Sequence, residues 1–272
     1  MPCTKFKLTV DKEACLRNGI VPESMADRIV DEITWEIKDR AIYKNALLLW
    51  DFMATNNWTR PVYFTSFSDM SKVLGIEKYL HMEGLSYRFI PVEAEDYNNY
   101  VKGGVYRDGS YDLLINKAIW GNLNQEGVVP DRESVRNSTY AQQAYSRLAQ
   151  ALVNHNQFDS AVIVMDKFQE FFPNDKFPFD LRSYQFPEMY YICGDTLKGD
   201  QFMRDISGNY ADKVQYYLNL KPRFQDYYAE DIEEGMSLLK HFGGVAKKYG
   251  RTEIAQDIAD RMTVFLSLYY ME

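Results

Sequence analysis

The stretch Gln142–Asp175, QQAYSRLAQALVNHNQFDSAVIVMDKFQEFFPND, decides how the C-terminal half is read. Tyr145, Leu148 and Leu152 recur at helical spacing within a helix over 138–154. A second apolar series runs through 158–172, and Pro173 closes it. Large residues of the first helix fill the groove of the second, while the small Ala149 and Ala161 let the two backbones approach. Two weaker echoes follow. One is Tyr190…Gly194-Asp195…Gly199, after an insertion at Lys176–Phe179. The other is Tyr249-Gly250-Arg251-Thr252-Glu253-Ile254-Ala255, with Ala255 and Ala259 at close-approach positions. Around them the pattern predicts helices over 187–193, 200–220, 223–249 and 252–270.

Helix pairs near a 34-residue period resemble a tetratricopeptide array. Tyr145 stands where that pattern carries Trp, Leu148 matches its Leu, and Ala149 replaces its Gly. Leu152 stands for Tyr, Ala161 matches the small residue of the second helix, Met165 stands for Phe, and Pro173 matches the closing Pro. The resemblance implies a stacked helical array whose inner face meets a partner or peptide. An ordinary helical bundle is the alternative.

Upstream of about residue 130 the pattern changes. Lys5–Val10 and Ile33–Ile37 alternate as strands, Pro22–Arg28 reads as a helical turn, and Tyr43–Ala54 as a buried helix. Pro61–Thr65 is a compact β-branched and aromatic strand. Ser68 caps a helix reaching Met82, Gly84 ends it, and Leu85–Val92 is the next strand. Strand, helix and strand of this length predict a parallel pair with a right-handed crossover. Gly121–Pro130 reads as a linker or long loop. The expected fold is therefore an α/β module over 1–125, with a small and at least partly parallel sheet. An all-α tetratricopeptide-like array over 126–272 follows it.

Composition narrows the function classes. Apolar residues make up 46% and charged residues 26% of the 272, a folded and soluble composition. With 31 basic and 39 acidic residues the net charge is −8, and no basic stripe occurs, which argues against nucleic acid. The N-terminus lacks a signal-peptide pattern, and no apolar run is long enough to span a bilayer. The three cysteines, Cys3, Cys15 and Cys193, have no C-x-x-C spacing, and an odd count excludes a fully paired framework. A Cys3–Cys15 pair stays open. His81, His155 and His241 are widely separated and read as helix-surface or helix-end residues, so no metal or cofactor is assigned.

The candidate chemistry is sparse. Ser66, Ser68 and Asp69 at a helix start read as an N-cap rather than a phosphate site. Glu93, Glu95 and Asp96 form an acidic edge that paired-carboxylate sugar chemistry would need. Glu230, Asp231, Glu233 and Glu234 share one helix as a solvent face or docking patch. The 21 tyrosines fit sugar-stacking surfaces or, more simply, buried repeat helices. The Asn57-Trp58-Thr59-Arg60 loop lies at the amino end of its strand. There Trp58 is expected to pack and Arg60 to pair with an acid such as Glu83.

Two segments carry a wider resemblance: Asn56-Asn57-Trp58-Thr59-Arg60-Pro61-Val62-Tyr63-Phe64, and the run from Leu74 through Gly84 to Val92. They are similar to the C-terminal region of a Bacteroidetes family of multi-spanning membrane proteins of unknown function. That family's membrane half resembles protein O-mannosyltransferases, which use lipid-linked sugars. The resemblance implies that this chain is a piece of a larger protein, with the membrane spans upstream and the domain on the periplasmic side; a cytoplasmic setting is the alternative. A periplasmic setting favours a Cys3–Cys15 bridge. Metal and sugar-donor residues of such transferases lie in the membrane half, so no catalytic residue is carried onto this sequence. The implied role is a non-catalytic accessory domain of a glycosyltransferase-like protein. It would position an acceptor or partner protein and dock the membrane half through Asn57, Trp58, Arg60, Glu83 and Arg88. The alternatives are a free-standing tetratricopeptide-type scaffold and a small carbohydrate-binding or hydrolytic protein using the Glu93–Asp96 edge.

Overall fold

The computed structural model describes residues 5–36, 43–65, 75–95 and 103–270. Contacts divide the chain into a unit over residues 1–118 and a unit over residues 119–272.

In the first unit, β1 (Lys5–Thr9) pairs antiparallel with β2 (Glu32–Glu36), bringing Leu8 opposite Ile33 and Phe6 opposite Trp35. Between them, Asp11 caps α1 (Lys12–Arg17) by accepting from the Ala14 amide at 2.9 Å. A 3₁₀ turn at Glu23–Arg28 follows, as the sequence predicts. The next helix, α2 (Lys44–Asn56), buries Ala46, Trp50 and Met53 in the core and packs Leu49 partly against it. Leu47, Leu48 and Phe52 are each more than half exposed, so the fully buried helix expected here is corrected to one with an outward apolar face. Trp50 lies flat on Trp35, with ring centroids 3.4 Å apart.

The second sheet has the order β3-β5-β4-β6: β3 (Val62–Phe64), β4 (Leu80–Glu83), β5 (Ser86–Phe89) and β6 (Gly104–Val105). β3 runs antiparallel to β5, with Val62 opposite Phe89, which overturns the parallel strand–helix–strand unit expected from the sequence. The parallel pairing lies elsewhere, between β4 and β6. Leu80–Glu83 is likewise a strand and not the end of a helix; residues 66–74, including the expected Ser68 cap, lie outside the described residues. Gly84 is the physical reason. Its φ of +64° closes a two-residue hairpin between Glu83 and Ser86, where a helix C-cap was the competing use of the same glycine. Leu80, His81 and Met82 are all buried, so this strand lacks the alternation that marks a half-buried one. The unit ends in α3 (Arg107–Tyr111) and a π-helical turn over Asp112–Lys117.

The second unit is helical among its described residues. Its helices are α4 (Arg132–Asn154), α5 (Phe158–Phe171), α6 (Phe186–Ile192), α7 (Thr196–Leu218), α8 (Pro222–Gln225), α9 (Ala229–Lys248) and α10 (Thr252–Tyr270). The single helix expected over 223–249 is instead broken by a 3₁₀ turn at Asp226–Tyr228. Three-residue turns join α4 to α5, α6 to α7 and α9 to α10, and left-handed Asn156, Gly194 and Gly250 reverse the chain there. Leu148, Ala149, Leu152, Ala161 and Met165 are all buried, as the paired-helix reading requires. The core is aromatic: Tyr145, Phe168, Phe172, Phe186, Tyr190 and Phe202 are each at most 2% exposed. The insertion at 176–179 feeds it, since Phe179 stacks on Phe202 at 4.2 Å. Gly121–Pro130 carries no helix or strand, yet it is tied down. The Trp120 indole donates to the Tyr145 hydroxyl at 3.0 Å, and Asn124 donates to the Glu170 carbonyl at 3.0 Å.

Candidate functional site

Trp58 follows Asn57 at the end of α2, and both adopt left-handed backbone, with φ of 58° and 45°. That conformation is uncommon for residues other than glycine. It swings the indole inward, where Trp58 is 4% exposed and stacks on Phe89. Its ring nitrogen donates to the Thr9 carbonyl at 3.0 Å, and its own carbonyl accepts from Asn18 at 2.9 Å. Trp58 therefore acts as a core bolt. Asn57 and Arg60 are exposed, and the crevice beside them, bounded by Ile20, Met53 and Val62, is about 10 Å³, room for at most one water.

Arg60 does not pair with Glu83. The partner of Glu83 is Arg88, which β5 presents across the sheet from Tyr63 on β3. Arg88 Nη1 donates to both Glu83 oxygens at 3.3 Å, Arg88 Nη2 donates to the Gly19 carbonyl, and the Tyr63 hydroxyl donates to Glu83 at 2.7 Å. The ion pair is largely buried, at 11% and 13% side-chain exposure, so each charge depends on the other. Burial, then the bond to Glu83, raises the Tyr63 hydroxyl above its ordinary pKa. Tyr63 and Glu83 line a cleft of about 420 Å³ with Ser86, Gly109, Asp112, Leu113 and Lys117. Lys117 sits 2.5 Å from Asp112 and, with Asn116, holds that carboxyl below its usual range.

The acidic edge is neutralised residue by residue. Lys78 pairs with Glu93 and holds its carboxyl below the ordinary value; the Tyr79 hydroxyl donates to it at 3.1 Å. Arg28 sits 2.7 Å from Glu95. Asp96 lies outside the described residues. On α9, Asp231 is taken by Lys213 at 2.7 Å, and Glu233 accepts from Tyr269.

His155 ends α4 and His241 is exposed on α9, whereas His81 is a correction: it is buried on strand β4, with Nε2 2.9 Å from the Val92 carbonyl. Cys15 and Cys193 are free thiols, pushed up to about 12 and about 11, in each case first by burial, so neither is a thiolate at neutral pH. Cys3 lies outside the described residues. Among the described residues no group of three His, Cys, Asp or Glu side chains is placed to hold a metal ion.

The helical unit contributes a second cavity, a groove of about 350 Å³ between α4, α7 and the 177–182 segment. Val135 and Phe177 supply apolar walls, and Gln142, Arg182, Asn209 and Lys213 supply polar groups. Gln142 is 4% exposed; it donates to Ser138 at 2.9 Å and accepts from Arg182 Nε at 3.2 Å. Asn209 donates to Asn174 at 2.7 Å and to the Phe179 carbonyl at 3.2 Å. Arg182 is balanced by Asp180 at 2.5 Å and Lys213 by Asp231. None of these groove residues was singled out from the sequence. The available signal was Ser138 and Gln142, one helical turn apart, interrupting the apolar face of α4.

No curated protein and no solved structure matches the chain. None of the described helices is long and apolar enough to cross a membrane. Residues 1–108, which hold Trp58, Tyr63, Glu83 and Arg88, match the family model described as TMEM260-associated domain 2, consistent with a domain of a TMEM260-like membrane protein family.

Proposed function

We propose that this chain is a non-catalytic accessory part of a TMEM260-like, glycosyltransferase-like membrane protein. Its helical unit would hold an extended segment of an acceptor or partner polypeptide. The membrane spans belong to the other half of the same polypeptide, and the unit faces the periplasm. The observation that carries the reading is the groove between α4 and α7. Its cations are already balanced by Asp180 and Asp231, and its wall combines the Gln142 and Asn209 amides with apolar Val135 and Phe177. After their bonds within the unit, Gln142 keeps one N–H, and the Gln142 and Asn209 side-chain oxygens keep one lone pair each, groups that a peptide backbone can meet. The family match supports the membrane-protein context. The raised thiols and the individually paired Glu93 and Glu95 support a role without turnover.

Selection of displayed random peptides on the 272-residue chain tests this. Enriched peptides are expected to bind, with Asn209→Ala and Lys213→Glu each weakening them about tenfold, as expected for one hydrogen bond or charge contact. Binding indifferent to both substitutions removes the groove. Sugar transfer by the chain alone removes the non-catalytic reading.

A further inference from the structure

We propose that the cleft bounded by Tyr63, Glu83 and Asp112 in the first unit is a binding site for a neutral saccharide unit. Cavity size, charge and hydrogen-bonding inventory carry this site, independently of the helical groove. The cleft measures about 420 Å³, within the range of small-molecule sites.

Each charge that lines the cleft has a counter-charge of its own. Glu83 is held by Arg88, and Asp112 by Lys117 at 2.5 Å. A phosphate would meet two carboxylates, and an organic cation would compete with Arg88 and Lys117 for acids already paired. A neutral ligand meets neither penalty.

The unused hydrogen-bonding capacity points the same way. The Tyr63 hydroxyl gives its hydrogen to Glu83 and keeps its lone pairs as acceptors. Ser86 Oγ gives its hydrogen to the Glu83 carbonyl at 3.3 Å and likewise keeps lone pairs. Glu83 accepts from Tyr63 and, through both oxygens, from Arg88, which occupies three of roughly four acceptor positions on a carboxylate. The residues at the cleft thus hold acceptors in excess, and a ligand must bring O–H donors. Lys117 retains N–H donors for a ligand's ether or hydroxyl oxygen.

The remaining wall is apolar. Tyr63 is 46% exposed and Leu113 is 37% exposed. An aromatic ring beside an aliphatic side chain suits the C–H face of a pyranose, while carboxylate, hydroxyl and amine suit its hydroxyls. Gly109 allows this geometry, since a Cβ there would fall 2.5 Å from the Tyr106 ring and 3.0 Å from Glu83 Oε1, crowding the carboxylate.

Saturation-transfer NMR on the 272-residue chain decides the matter. Its probes are the methyl glycosides of glucose, galactose, mannose and N-acetylglucosamine. Inorganic phosphate and tetramethylammonium serve as charged counter-probes. At least one glycoside is expected to show transfer. Tyr63→Ala, on an edge strand, should abolish it, and Tyr63→Phe, which keeps the ring and loses the acceptor, should weaken it roughly threefold to tenfold. If Tyr63→Ala loses its fold, Tyr63→Phe and Ser86→Ala carry the test, and weakening by either supports the site. Transfer to no glycoside, transfer unchanged in the folded variants, or binding of a charged probe alone each overturns it. Asn209→Ala should leave glycoside transfer unchanged, so failure here is separable from failure of the peptide groove.

Discussion

His81 is 3% exposed on β4, with Nε2 donating to the Val92 carbonyl. Its other ring nitrogen faces Gly104 so closely that a Cβ there would fall 2.6 Å away. A second proton therefore enters a desolvated space. Burial is the main reason the ring's pKa lies below its ordinary 6.5; Arg28 pushes the same way, while the Val92 carbonyl and Glu95 oppose it. The unfolded chain then binds the proton more readily than the folded one. Stability from this group is complete above about pH 6.5 and is lost as pH falls below that value. Urea unfolding followed by tryptophan fluorescence reports the first unit well, because Trp35, Trp50 and Trp58 lie in it. Its midpoint should fall between about pH 7 and about pH 5, and His81→Gln should flatten that slope. A slope unchanged by the substitution would show that His81 does not set it. Glu93, held low by Lys78, acts in a separate window, giving stability above the ordinary carboxylate range that is lost only at more acid pH. None of this was legible in the sequence, where His81 read as a helix residue because its strand lacks alternation.

At the scale of elements, legibility followed periodicity. β1 and β2 alternate visibly, and α4 and α5 repeat their apolar residues at helical spacing, so both pairs are readable, although α4 starts at Arg132, six residues before the expected Ser138. β4 failed because three successive buried residues fit a strand or a helix equally. The cleft and the groove failed for a different reason: their residues are far apart in sequence, and pairing of β3 with β5 and packing of α4 and α7 around the 177–182 segment bring them near. Two glycines inside one helix also separate a position closed by packing from an open one. On α7, a Cβ at Gly199 would fall 2.5 Å from the Tyr191 ring, whereas one at Gly208 meets nothing within 4 Å. Tyr191 cannot move freely, since its hydroxyl donates to Asp200, which Arg251 also engages. Gly199→Ala should therefore destabilise the helical unit by about 1–3 kcal/mol through overpacking. Gly208→Ala should instead stabilise it by about 0.5–1 kcal/mol through helix propensity. Thermal unfolding of both variants gives the comparison, and equal shifts would mean that Tyr191 yields and α6 does not pack as tightly as described.

For the whole molecule, the question is whether one cooperative structure or two carries these sites. Each unit builds a core from its own residues. Ile33, Trp58, Leu80 and Phe89 bury one another in the first, and Tyr145, Leu148, Phe168 and Phe202 are buried in the second. A core of this kind suffices for independent cooperative unfolding. Calorimetry on the full chain should then resolve two transitions. Removing most of a buried side chain costs about 2–5 kcal/mol at a well-packed site. Ile33→Ala should lower the transition of the sheet-containing unit and leave the helical one in place, and Leu148→Ala should do the reverse. Tryptophan fluorescence assigns the transitions, because Trp120 alone of the four tryptophans belongs to the second unit. A single transition lowered equally by both substitutions would mean that the two cores unfold together, and a ligand held by either cavity would then stabilise the other unit as well. Two separable transitions mean the opposite: glycosides should raise only the first, and a groove-binding peptide only the second.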